Sequence, residues 1–123
     1  MARFEYFNIN PLGYTEPDCV IRAITLASGL PYEDIEEKLN LVGELYNCEK
    51  LCVACYRFLL DKYFQYERVS GEGMLVDEFA DTYPVGTYIL RMNGHLTCCI
   101  DNTIYDIWDC RFDGIVTDAW RVD

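Results

Sequence analysis

The chain of 123 residues is long enough for one domain and too short for two. Its 21 acidic and 10 basic residues give a formal net charge of −11. This charge argues against nucleic acid or an anionic membrane as the main partner, because phosphate contacts need lysine or arginine. A basic protein, peptide or small molecule is a more compatible partner. No apolar run of about 18 residues is present, so the sequence predicts no membrane span.

The amino terminus and the cysteine content predict a cytoplasmic protein. Residues 1–10 have neither the long apolar stretch nor the small-residue cleavage site of a secretory signal. The seven cysteines are therefore expected to be reduced thiols rather than a disulfide framework. No phosphate-binding glycine loop or dinucleotide motif occurs, and the sequence predicts no cofactor.

The first two-thirds of the chain is mainly helical in pattern, after a short edge strand expected within 3–9. The first helix is predicted to begin around Thr15, as N-cap, with Asp18 as its capping-box partner, and to end at Gly29. Further helices are predicted over 32–42, 47–63 and 75–82.

From Pro84 onwards the pattern changes to short apolar runs and period-two alternation, which are typical of strands. Tight turns are predicted at Asn93–Gly94 and Asp101–Asn102. The predicted strands are 87–92, 95–100, 103–108 and 115–122. Helices followed by an antiparallel meander indicate an α+β domain with its helices on one face of the sheet.

Cys19 is the strongest candidate nucleophile. It lies in the first turn of the predicted helix, where unpaired backbone N–H groups and the helix dipole favour an anion. The thiolate is the reactive form of cysteine, so this position is expected to lower the pKa of Cys19. We expect no other cysteine to share this advantage. The alternative interpretation is that Cys19 is a small core residue facing inwards.

His95 is the only histidine, so any histidine-dependent chemistry must use it. If the Asp101–Asn102 turn has two residues, His95 lies opposite Trp108, and Asp106 is a diagonal neighbour on the same face. Asp109 would share that face only with a bulge or a longer turn. An acid beside a histidine fixes its tautomer and orients it towards a nucleophile. Alternatively, His95 is an ordinary turn residue and Asp106 an exposed strand residue.

A helix-start cysteine, a strand-start histidine and an acid on the following strand form one order of a Cys–His–acid triad. Around these residues the chain resembles the papain-like cysteine peptidase superfamily. The segment DCVIRAI at 18–24 is similar to the Asp–Cys helix start of the bacteriocin-processing peptidase domains of ABC exporters. The segment GHLTCCIDNTIYDIWD at 94–109 is similar to their Gly–His strand, hairpin and following Asp. The resemblance implies a minimal papain-like fold over 1–123, with N-terminal helices packed on a C-terminal antiparallel sheet.

The same resemblance implies a role for each residue of the triad. Cys19 would be the nucleophile and His95 the general base, later the general acid. Asp106 would be the orienting acid, with Asp109 as the substitute candidate. The implied reaction is attack of Cys19 on an amide or related acyl carbon, which gives a thioester that water or another nucleophile resolves.

The chain departs from the family at the oxyanion hole. The family usually has a Gln six residues before the Cys, whose amide helps to form this hole, whereas this chain has Gly13 there. Asn10 or the Thr15 hydroxyl is a candidate replacement; otherwise only the Cys19 backbone N–H remains. Loss of one oxyanion donor typically costs about 10²–10³ in rate.

Three further cysteines, Cys48, Cys52 and Cys55, follow the spacing i, i+4, i+7 on one face of the predicted third helix. A zinc site needs a fourth ligand and rarely draws three from one helix, and free cysteine is a strongly buried residue type. We therefore interpret these residues as core packing and predict no metal. Cys99, on the same predicted face as the histidine, is also interpreted as packing.

The sequence thus predicts a cytoplasmic thiol hydrolase, a peptidase or amidase with a Cys–His–Asp triad. A second hypothesis is a catalytically weak or inactive papain-like protein that binds a protein partner, such as a viral or mobile-element inhibitor of a host factor. The small size and acidity of this chain, and the absence of the family's Gln, favour this hypothesis. A third is acyl transfer by the same triad to an amine. The acidic residues at 33–37 are expected either to form a solvated helix face or to attract basic peptides. Trp108 is expected either to line a substrate cleft or to lie in the core of the sheet.

Overall fold

The computed structural model describes residues 1–13 and 17–122 and has a mixed α+β fold, as predicted. The helical elements are α1 (Cys19–Ser28), α2 (Tyr32–Tyr46), α3 (Val53–Phe58), a π-helical turn (Leu59–Tyr63) and α4 (Val76–Thr82). The strands are β1 (Arg3–Tyr6), β2 (Glu67–Arg68), β3 (Thr87–Met92), β4 (His95–Ile100), β5 (Thr103–Asp106) and β6 (Asp118–Arg121). None of the helices in these residues is both long enough and apolar enough to cross a membrane.

The predicted hairpins β3–β4 and β4–β5 are both confirmed. Met92 pairs with His95 and Ile100 with Thr103, so each connecting turn has two residues. Asp101 and Asn102 have φ values of 47° and 65°, the left-handed conformation that a tight hairpin turn needs and that Asp and Asn tolerate. This register places His95 level with the chain just beyond β5.

The sheet is not the purely antiparallel C-terminal meander that the sequence predicts. Its strand order is β1-β5-β4-β3-β6-β2, and β1 pairs with β5 in parallel. Because β1 covers the outer edge of β5, β6 pairs instead with β3, on the other side of the hairpin. The short strand β2, which was not predicted, pairs with β6 at the far edge.

Helices cover both faces of the sheet, so the prediction of helices on one face is wrong for α4. Helices α1, α2 and α3 share one core with Ile89, Leu96 and Trp120. Phe79 of α4 belongs to a second core with Tyr88 and alternate residues of β3. Neighbouring residues of a strand point to opposite faces, so Ile89 and Tyr88 mark the two sides of the sheet.

The helix boundaries differ from the sequence prediction at the start of α1, the end of α2 and the start of α3. Helix α1 ends at Gly29 as predicted, with φ 74°, but its N-cap residue is Asp18. The predicted N-cap Thr15 lies outside the described residues. Helix α2 continues four residues beyond the predicted end and stops at Asn47, which is left-handed with φ 53°. The third helix therefore begins only at Val53, and residues 47–52 form turns.

Candidate active site

Helix α1 positions Cys19 at the centre of the candidate site. Its apolar residues Val20, Ile21 and Ile24 are buried in the core shared with Leu96 of β4. Burial of these side chains fixes the helix across the sheet, with its first residue beside the start of β4. Cys19 is half-buried, so its thiol is held by the protein and still reaches solvent.

The β4–β5 hairpin brings His95 and Asp106 into direct contact. The Nε2 atom of His95 lies 2.6 Å from Oδ2 of Asp106. The same carboxylate oxygen accepts a hydrogen bond from the Thr97 hydroxyl at 2.6 Å, and Oδ1 accepts one from the backbone N–H of Ile107 at 2.7 Å. These donors fix the carboxylate, and the carboxylate in turn fixes the imidazole ring.

The electrostatics of the pair favour a protonated histidine. Burial would raise the pKa of Asp106, but hydrogen bonds from His95, Thr97 and Ile107 lower it overall, so the carboxylate is ionised and only accepts hydrogen bonds. The Nε2–H of His95 therefore donates to it, which leaves Nδ1 for Cys19. Burial would lower the pKa of His95, but its hydrogen bonds with Asp106 and Cys19 and their charges raise it to about 9.

The thiol of Cys19 shows the complementary shift. Burial would raise its pKa, but a hydrogen-bonding interaction with His95 and another with the backbone of Leu96 lower it. The positive charges of His95 and Arg22 add to this effect. A lowered thiol pKa beside a raised imidazole pKa favours a thiolate–imidazolium pair, the reactive form of a catalytic cysteine.

The structure thus brings Cys19, His95 and Asp106 together and separates Asp109 from them. Asp109 is more exposed and forms an ion pair with Arg111 at 2.9 Å. Its side chain lies beyond the end of β5, without the bulge that would turn it towards the histidine. Asp106 is therefore the residue that orients His95 in this geometry.

Sequence reasoning did not identify Arg22, which is buried beneath the site. Its guanidinium bonds the carboxylate of Asp18 and lies 3.7 Å from Oδ1 of Asp106. The side chain is only 7% exposed, so one cation compensates two buried carboxylates. The available signal was an arginine within the apolar run VIRAI, four residues after an aspartate on the same helix face.

Asn10 and Tyr32 complete the polar layer around Asp18. Nδ2 of Asn10 donates to Oδ2 of Asp18 at 2.9 Å, and the Tyr32 hydroxyl donates to the same oxygen at 2.7 Å. These contacts explain why the N-cap Asp18 makes no side-chain capping bond to its own helix. The layer links the segment before α1 to the start of α2.

Of the candidate oxyanion-hole donors named above, the structure describes Gly13, Asn10 and Cys19. Gly13, at the position of the family's Gln, has no side chain to donate, and its backbone N–H bonds the carbonyl of Asn10 at 2.9 Å. The Asn10 amide nitrogen donates to Asp18, and Thr15 lies outside the described residues. The backbone N–H of Cys19 belongs to the first turn of a helix, whose N–H groups have no acceptor within the helix.

An apolar cleft of about 230 Å³ opens beside the cysteine and histidine. Trp108, 44% exposed, packs edge-on against His95 with ring centroids 4.9 Å apart. Trp108 thus shields one side of the imidazole; its exposure excludes the sheet-core alternative, and it is not among the residues that line this cleft. The cleft is lined by Pro17, Cys19, Val20, Leu51, Val53, Tyr56, Gly94 and His95.

The other cysteines near the site are poor nucleophiles. Cys99 is fully buried, and burial raises its pKa to about 12. Cys110 has the same burial and the same pKa, and its sulfur lies within 4.8 Å of the ligand atoms of His95 and Asp106. These three atoms are close enough to hold a cation, but the Asp106 oxygens already accept hydrogen bonds from His95, Thr97 and Ile107.

No protein-family model, curated protein or solved structure matches this chain.

Proposed function

We propose that this chain is a thiol hydrolase, a peptidase or amidase, that uses Cys19, His95 and Asp106. The observation that carries the proposal is the arrangement of one thiol, one imidazole and one carboxylate with complementary pKa shifts at the mouth of a cleft. Strongly shifted titratable groups at a cleft are typical of active sites. The other cysteines near the site have raised pKa values instead.

In the proposed reaction the Cys19 thiolate attacks the acyl carbon of an amide, and a carbon–sulfur bond forms. The Nδ1 proton of His95 passes to the leaving nitrogen, the carbon–nitrogen bond breaks, and an amine departs. The resulting thioester is attacked by water, whose proton returns to Nδ1. The carboxylic acid product leaves and the thiolate is regenerated. Asp106 holds the Nε2–H throughout, so Nδ1 is the ring nitrogen left for these proton transfers.

The cleft suits a peptide or protein substrate with an apolar side chain next to the scissile bond. Leu51, Val53 and Tyr56 give the cleft its apolar lining beside the sulfur. The net charge of −11 favours a substrate with basic residues outside this cleft. The seven free thiols support a reducing compartment such as the cytoplasm.

The proposal is tested with 4-nitrophenyl acetate, an activated ester that acylates reactive cysteines without a specific peptide sequence. Wild-type protein should release nitrophenol in a burst, carry one acetyl group on Cys19 by peptide mass spectrometry, and then turn over slowly. Cys19→Ala should remove the acetylated species, and Asp106→Asn should slow acylation by up to about 10⁴-fold, as for other triads.

The matched control is Asp109→Asn, which removes a nearby carboxylate that does not touch His95. The hydrolase proposal fails if acetylation is spread over several cysteines, or if Cys19→Ala leaves the burst unchanged.

A binding protein with a weak or inactive triad is the second candidate, and the oxyanion region favours it. Gly13 supplies no side-chain donor, and the Asn10 amide donates to Asp18. With one oxyanion donor missing, the rate would fall by about 10²–10³. In this case Cys19→Ala would leave function intact, whereas changes at the exposed Trp108 would impair partner binding.

A further inference from the structure

Three thiols away from the candidate active site converge between α2 and α3. The Sγ atoms of Cys48, Cys52 and Cys55 all lie within 4.8 Å of one another, and those of Cys52 and Cys55 are 3.5 Å apart. Cys55 is buried, but Cys48 and Cys52 are only half-buried. The cysteines of the sheet and of the loop after β5 are all fully buried, as packing residues should be. Burial therefore does not explain the two more exposed members of this cluster.

Backbone contacts hold the three cysteines in place. The N–H of Cys48 bonds the carbonyl of Gly43 at 2.9 Å, the N–H of Cys52 bonds that of Glu49 at 3.1 Å, and the N–H of Cys55 bonds that of Cys52 at 3.1 Å. A Cβ on Gly43 would lie 2.7 Å from the Cys48 carbonyl oxygen, so α2 approaches this segment closely. The cluster is thus preorganised by consecutive turns rather than by one helix face.

We propose that Cys48, Cys52 and Cys55 bind a single thiophilic d¹⁰ cation, Zn²⁺ or Cu⁺. Metal–sulfur bonds of about 2.3 Å place two ligand sulfurs about 3.8 Å apart in a tetrahedral site, close to the 3.5 Å between Cys52 and Cys55 and within the 4.8 Å that limits the other two separations. A [4Fe–4S] cluster binds each cysteine through a different iron atom and needs more widely spaced sulfurs. On binding, each thiol that coordinates loses its proton to solvent as the sulfur–metal bond forms.

The cluster has an entry path and room for a further ligand. A surface cavity of about 440 Å³ reaches Cys48. Its lining includes Lys50, whose ammonium pairs with Glu36, and the acidic residues Glu44 and Glu49. These negative groups attract a cation towards the thiols. Three thiolates suffice for trigonal Cu⁺, whereas Zn²⁺ would take a water molecule from the cavity as its fourth ligand.

The bound ion would stabilise one wall of the active-site cleft. Leu51 and Val53 line that cleft and lie in the chain between the proposed ligands Cys48 and Cys55. Fixing the sulfurs therefore fixes the backbone that carries both apolar side chains. The metal site itself does not depend on the hydrolase proposal, because none of its ligands belongs to the triad.

The test is metal titration of the full-length, fully reduced protein in chelator-free buffer. Co²⁺ serves as the spectroscopic probe through its thiolate charge-transfer band, Zn²⁺ as its competitor, and Cu⁺ is added anaerobically in a separate arm. Native mass spectrometry should show one ion per chain. Cys48→Ser and Cys52→Ser should each weaken binding by at least about 10- to 100-fold. Both side chains are half-buried, so these variants are expected to fold even if Cys55→Ser does not.

The matched control is Cys19→Ser, which removes another half-buried thiol and should leave affinity unchanged. Binding of either ion that requires the cluster cysteines supports the proposal and identifies the metal. The proposal is overturned if neither ion binds the reduced protein, or if binding survives Cys48→Ser and Cys52→Ser. It is also overturned if Cys19→Ser abolishes binding, because the ion would then occupy the triad.

Discussion

Replacing Asp106 with Asn should lower the pKa of His95 from about 9 towards its ordinary value of 6.5. In the folded protein burial lowers this pKa, and the interactions with Asp106 and Cys19 raise it. The difference between 6.5 and about 9 corresponds to roughly 3 kcal/mol, at about 1.4 kcal/mol per pKa unit. The hydrogen bond to Asp106 is the largest of the contributions that raise the pKa, so this variant should shift the pKa further than the loss of the Cys19 interaction does.

The assay is a proton NMR titration of the Cε1–H resonance of His95. Because the chain contains one histidine, tag-free protein gives one such resonance and needs no assignment. Cys19→Ser should lower the midpoint by a smaller amount than Asp106→Asn. The double variant should titrate below 6.5, since burial is then the main remaining influence. Asp109→Asn, the matched control, should titrate like the wild type because Asp109 pairs with Arg111.

A wild-type midpoint near 6.5 would refute the reasoning, because it would mean that the Asp106 contact does not stabilise the imidazolium in solution. An equal shift in Asp109→Asn would refute the assignment of the orienting acid. Near-ultraviolet circular dichroism of each variant checks that the fold is retained, and Asn has nearly the shape of Asp at this buried position.

Three further predictions concern reactivity and stability. Iodoacetamide should modify Cys19 at a lower pH than an ordinary thiol, because the lowered pKa of Cys19 leaves more of it as thiolate. Peptide mass spectrometry should show Cys99 unmodified, and in His95→Ala the pH dependence of Cys19 modification should move to higher pH. Arg22→Met should lower the free energy of unfolding in urea by about 3–5 kcal/mol, because Asp18 is then buried without a cation and Asp106 keeps only His95. A stability equal to wild type would show that Asp18 finds another partner. Gly114→Ala should cost about 1–3 kcal/mol in thermal unfolding, since its Cβ would lie 2.5 Å from a methionine sulfur and 2.8 Å from a backbone carbonyl; an unchanged melting temperature would contradict this close packing.

Much of the secondary structure could be predicted because it depends on local signals. Gly29 ends α1 where the left-handed cap is needed, and Asp101–Asn102 closes a two-residue hairpin as its composition indicates. That hairpin places Asp106 diagonally from His95 by register alone, so part of the candidate site also follows from local pattern.

The start of the third helix could not be predicted from the same signals. Residues 47–52 have a helical pattern, but α2 continues to Tyr46 and ends at the left-handed Asn47, which turns the chain. The cysteines predicted on one helix face therefore lie on successive turns. Their three sulfurs lie close together because of these turns, and not because a single helix places them on one face.

The sequence by itself determined the α+β class, the candidate nucleophile at a helix start and the pairing of the histidine strand with an acidic neighbour. These features depend on composition, capping residues and a period-two hairpin, all of which act over a few residues. The tertiary structure alone decided that β1 covers β5 in parallel, that α4 packs on the opposite face, and that Arg22 compensates Asp18 and Asp106. Such contacts join distant segments, and their energies depend on which surfaces and charges are buried together.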